Sequence, residues 1–136
     1  MKKVTQLLLF CTLLIAGVLL DLAPISVPDG IDKIYHLVGF SLITIVAIST
    51  YIAFFNKKWI NAFLLFLLVF GGAFSGISEF LQTYASMREC SVYDWMANLC
   101  GIAIVVVFTF LINSKETKNV EFNEDRFDFK DLNVAL

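Results

Sequence analysis

Four long apolar runs dominate the chain, and each is close to the length that crosses a bilayer. Residues 4–20, 34–55, 59–80 and 95–112 together hold 79 of the 136 residues. A helix rises about 1.5 Å per residue, so a hydrocarbon core about 30 Å thick takes roughly 20 apolar residues. The first and fourth runs contain no charged residue. The second contains His36 near its start, and the third contains Glu79 near its far end. A soluble bundle would show charges every few residues along one face of each helix. Composition agrees: 59% of residues are hydrophobic and 16% charged, against about 45–50% and about 25% in soluble domains. This excludes a disordered chain, a nucleic-acid binder and an ordinary soluble enzyme. A net charge of −2 leaves no basic field to attract polyanions. The expected fold class is all-α: an integral membrane four-helix bundle formed by residues 1–112, followed by a polar tail, 113–136.

The first run follows Lys2 and Lys3 and could be read as a secretory signal. Its apolar stretch exceeds the usual 7–15 residues, and no small-x-small cleavage site follows, so it is expected to remain as the first span. Three cysteines do not make a disulfide framework. Cys11 and Cys100 fall inside spans and are expected to pack as small hydrophobes. Cys90 lies in a polar loop. The tail has four basic and six acidic residues, interrupted by Phe122, Phe127 and Phe129, and is expected to be flexible.

Positive residues gather on the cytoplasmic side of membrane proteins. Lys2, Lys3, Lys57, Lys58, Lys115 and Lys118 fall on one side of the alternating spans, and only Lys33 and Arg88 on the other. The count places both termini in the cytoplasm and the first and third loops outside. The acidic residues and the histidine at the span edges then lie on the outer side. Asp32, Lys33 and His36 open the second span, Glu79 and Gln82 close the third, Arg88 sits in the third loop, and Asp94 and Asn98 open the fourth. Asp32/His36 are spaced i, i+4, Glu79/Gln82 i, i+3, and Asp94/Asn98/Gly101 i, i+4, i+7, so each set shares a helix face. Asp94 is placed to cap the fourth helix. Asn98, one turn deeper, needs partners from another helix. Gly72 and Gly76 form a small-xxx-small pair suited to close packing within the bundle, or to a homodimer.

The order Asp32-Lys33-x-x-His36-x-x-x-Phe40, Glu79-x-x-Gln82, Arg88, Ser91-x-x-Asp94-x-x-x-Asn98-x-x-Gly101 resembles the VanZ-like family of small bacterial membrane proteins. The resemblance runs from about Asp32 to Gly101. It implies a multi-pass protein of the bacterial cytoplasmic membrane and a link to the cell envelope. It also implies antibiotic resistance as a theme, since the family is named after a member tied to low-level resistance to the glycopeptide teicoplanin. The sequence departs from the family in its third loop, where Ala85-Ser86-Met87 stands before Arg88 in place of the usual Pro-Gly.

Two readings of the polar residues stand. In the first they form an outward-facing site for a lipid head group or lipid-linked envelope precursor. His36 would serve as acid or base, and Glu79 or Asp94 would orient it or share its proton. Arg88 would bind phosphate or carboxylate, with Asp32, Lys33, Gln82 and Asn98 as further ligand contacts. In the second the same residues form a structural network, and the protein is a non-enzymatic scaffold or accessory subunit of an envelope membrane complex. A transporter is disfavoured, because the span centres carry no charged path. No cofactor is expected. No metal is expected either, because a single histidine with scattered carboxylates lacks a ligand-spaced pair. Ser91 with His36 and Asp94 could mimic a triad, but their order proves nothing. The aromatics Tyr35, Trp59, Tyr84, Tyr93 and Trp95 read as an interfacial belt. Membrane lipids and a partner membrane protein or second copy are the expected contacts.

Overall fold

A computed structural model describes residues 2–21, 28–85 and 91–134. Five α-helices account for almost all of them: α1 (Lys2–Asp21), α2 (Asp29–Phe55), α3 (Ile60–Phe66), α4 (Gly72–Ala85) and α5 (Val92–Val134). A single π-helical turn, Leu67–Gly71, joins α3 to α4, so the third hydrophobic run is one rod with a widened turn at its middle. There is no strand among the described residues. Four helical stretches are long and apolar enough to cross a membrane: Lys3–Leu20, Gly30–Phe55, Ile60–Thr83 and Val92–Lys118. They match the four expected spans, each extended by polar residues at an end. Pro28 starts α2 five residues ahead of the apolar run, its carbonyl accepting from the amides of Ile31 and Asp32.

The chain divides into two units, Met1–Val106 and Val107–Leu136. The second is helical through Val134, where a flexible tail is expected from sequence. Residues 113–134 contain neither proline nor glycine, so nothing in the covalent chain interrupts the helix.

Within the first unit the distribution of side chains is inverted relative to a soluble protein. Among its described residues, the buried set holds eight polar or charged side chains and six apolar ones, while 29 large apolar side chains are exposed. Water would penalise that surface heavily and hydrocarbon would not. The apolar core is a small cluster, Ile48 of α2, Ile60 and Leu64 of α3, and Ile102 and Val106 of α5. Tyr51 stacks on Phe63 with ring centroids 4.1 Å apart and donates its hydroxyl hydrogen to the Lys58 carbonyl, fastening the turn between α2 and α3. Hydroxyls inside the spans are satisfied locally: Ser41 and Thr44 donate to the Leu37 and Phe40 carbonyls at 2.8 and 2.7 Å, which removes their desolvation cost.

Glycines set where the helices touch. A β-carbon on Gly72 would lie 2.8 Å from Leu99 Cδ2, and one on Gly76 would lie 3.2 Å from Trp95 Nε1. The small face of α4 is therefore spent on α5, inside the bundle. A β-carbon on Gly101 would run into the Leu37 carbonyl oxygen of α2. Two expectations are corrected here. Cys11 and Cys100 are exposed on the outer helix faces and do not pack as small hydrophobes inside the bundle. Cys90 lies outside the described residues. Trp95 is not simply a belt residue: its indole Nε1 donates to the Gly72 carbonyl at 3.1 Å.

Candidate functional site

Three helix ends meet where α2 begins, α4 ends and α5 begins. Asp32 and His36 sit one turn apart on α2, Glu79 and Gln82 on α4, and Asp94 and Asn98 on α5. Asn98 is the hinge of the cluster and is 0% exposed. Its Nδ2 donates to Glu79 Oε1 at 3.1 Å, which leaves its Oδ1 to accept from His36 Nδ1, also at 3.1 Å. Glu79 Oε1 itself lies 3.5 Å from His36 Nδ1. The opposite ring nitrogen, Nε2, faces Asp32 Oδ1 at 3.8 Å. Lys33 Nζ is 3.9 Å from Asp94 Oδ1. His36, Asn98 and Glu79, and likewise Lys33 and Asp94, thus meet across different helices, so these contacts form only when the three helices are assembled.

The structure brings Asp32, Lys33, His36, Glu79, Asp94 and Asn98 together, as the span-edge pattern anticipates. Gln82 is buried one turn beyond Glu79. Arg88 lies outside the described residues. The capping role expected of Asp94 belongs to Ser91, whose Oγ accepts from the Asp94 amide at 3.3 Å. A serine three residues before an acidic residue at a helix start is a recognised capping signal. This frees the Asp94 carboxylate to turn toward Lys33, and it commits Ser91 to the backbone.

Beside the cluster runs a cavity of about 790 Å³. Asp32, Tyr35, His36 and Ser78 line its polar end. Leu14, Gly17, Gly39, Ile43, Ala47, Phe66, Phe70 and Phe74 line the rest. Along α2 the lining extends from Asp32 to Ala47, about 22 Å at 1.5 Å per residue. A smaller apolar cavity of about 390 Å³ shares Phe10, Ala47, Phe66 and Leu67 with it and continues the track. Val38, Leu42, Phe70 and Phe74 line the large cavity yet are exposed, so it opens sideways onto the apolar surface. Sequence reasoning found the polar end but not the cavity. Ser78 was legible only as a small residue, and the widened turn, which contributes Leu67, Phe70 and Gly71 to the lining, has no hydropathy signal. π-helical turns recur at functional sites.

Trp95→Phe should remove one interhelical hydrogen bond and leave the cavity intact. The expected result is a loss of about 1 kcal/mol, read as a lower thermal midpoint in detergent.

Comparison with known proteins adds kinship. The chain is 32% identical over 121 residues to the uncharacterized protein C11E3.10 of Schizosaccharomyces pombe, covering 88% of this chain and 70% of the yeast protein. The chain belongs to that protein's family. No family model and no solved structure matches it. The family thus includes a eukaryotic protein, whose name carries no activity to transfer.

Proposed function

We propose that the chain is a VanZ-like multi-pass membrane protein that binds an amphiphile, with the apolar chain in the lateral cavity and the polar head at Asp32 and His36. The observation that carries this reading is the continuity of one cavity from Asp32 and His36 to Ala47 and Phe66. Its length of about 22 Å along α2 exceeds the roughly 15 Å that one leaflet of hydrocarbon provides. Pockets with a mostly apolar wall and a few convergent polar groups are the usual form of ligand sites. The reading places the protein in the bacterial cytoplasmic membrane, and six basic residues against two favour both termini cytoplasmic and the polar end outward. A reporter fused after Leu136 should then be active only in the cytoplasm, and a periplasmic signal would reverse the orientation.

Gly39 offers a clean test. It lines the cavity, and a β-carbon there would meet nothing within 4 Å. Gly39→Leu should fill the space without strain and leave the melting temperature unchanged or higher, since glycine is the poorer helix former. Lipid co-purifying with the wild type, measured by mass spectrometry, should be lost from Gly39→Leu. Equal lipid in both proteins would remove the reading.

A second reading, a scaffold whose polar cluster only locks helix ends, is favoured by the placement of Asn98 between His36 and Glu79. It predicts that His36→Ala lowers abundance in the membrane and activity in parallel, whereas a ligand site predicts activity lost at normal abundance.

A further inference from the structure

The polar end of the cavity contains an arrangement that hydrogen bonding leaves unbalanced. Asn98 presents its oxygen to His36 because its amide nitrogen is committed to Glu79. His36 Nδ1 therefore carries the hydrogen, and in the neutral ring Nε2 carries a lone pair. That lone pair faces another acceptor, Asp32 Oδ1, at 3.8 Å. Asp94 arrives from α5 as a second carboxylate, and ligand atoms of Asp32, His36 and Asp94 all lie within 4.8 Å of one another. Asp94 is only 6% exposed, and its buried Oδ1 makes no hydrogen bond among the described residues. Lys33 Nζ, at 3.9 Å, is beyond hydrogen-bond reach. Buried carboxylates are normally paired or coordinate a metal.

We infer that Asp32, His36 and Asp94 bind one divalent transition-metal ion at the polar end of the cavity. Imidazole with carboxylates is a donor set for such ions. At bond lengths of about 2.0–2.2 Å, tetrahedral ligand atoms stand about 3.4 Å apart, so side-chain rotations of about an ångström close the site. Asn98 and Glu79 supply the outer support that metal-bound histidines have, fixing the tautomer through Nδ1. Three protein ligands leave a position open toward the cavity, where an oxygen of the head group would bind. The inference deepens the amphiphile reading and rests on it for that last occupant. It runs against the sequence expectation because the third ligand lies 58 positions beyond His36, on another helix.

The chain has a single histidine, which makes the test direct. Full-length protein in detergent, stripped with EDTA and titrated with Zn²⁺, should take up about one equivalent, and Asp94→Asn should bind at least about tenfold more weakly. In ¹⁵N-labelled wild type, the His36 Nε2 resonance should shift on adding Zn²⁺ while Nδ1 keeps its hydrogen. That measurement needs no variant to fold. Wild type that binds no more Zn²⁺ than Asp94→Asn, or a His36 signal indifferent to Zn²⁺, overturns the site. Lipid content is read on the same samples. Lipid retained without Zn²⁺ binding sinks the metal alone, and Zn²⁺ bound without lipid sinks the amphiphile reading alone.

Discussion

Asn98→Leu should cost about 2–6 kcal/mol of stability and leave little folded protein in membranes. The side chain is wholly buried and serves two helices at once, accepting from His36 on α2 and donating to Glu79 on α4. Leucine fills a similar volume and supplies neither bond. Two buried polar groups each lose a partner, at about 1–3 kcal/mol apiece, against a total stability of about 5–15 kcal/mol. Thermal or denaturant unfolding in detergent measures the loss. Asn98→Asp should fare no better, because it sets a carboxylate where the amide donated to Glu79. Unchanged unfolding of Asn98→Leu would mean that the bridge from His36 through Asn98 to Glu79 does not hold the helices.

The second large effect concerns two glycines with opposite surroundings. Gly101→Ala should destabilise by about 1–3 kcal/mol, and Gly101→Val should abolish accumulation. A β-carbon at 101 meets the Leu37 carbonyl oxygen, and Ser41 N and Ser41 Oγ stand at 3.2 and 3.1 Å. Two of these atoms are backbone and cannot rotate away, so α2 and α5 must separate. The separation would also stretch the bond from Ser41 Oγ to the Gly101 carbonyl, 3.3 Å. Gly39→Ala is the control. Its β-carbon enters open space, and the gain in helix propensity should stabilise it by about 0.5–1 kcal/mol. Equal tolerance at both positions would contradict the close approach of α2 and α5.

The polar residues of the site were legible because ionisable groups in an apolar chain stand out. Asp32, His36, Glu79, Asp94 and Asn98 are conspicuous at the edges of runs that otherwise carry no charge, and helical spacing put each pair on one face. Their pairing was less legible. Nothing in the spacing says that Ser91 caps α5 and frees Asp94, or that Asn98 bridges His36 and Glu79. Trp95 looked like a belt residue because its neighbour across the helix pair, Gly72, is 23 positions away.

The covalent chain alone determined the class of the protein. A long uncharged apolar run that crosses a bilayer satisfies its backbone as a helix, and hydropathy is additive along a sequence, so four helices long and apolar enough to span, with their polar ends, could be read directly. Assembly of the helices decided the remainder. The cavity, the widened turn that lines it, the glycine contacts and the meeting of Asp94 with Asp32 and His36 depend on distances between residues far apart in the chain. Such distances follow from how side chains interlock across helices, and a linear pattern of hydrophobicity does not contain them.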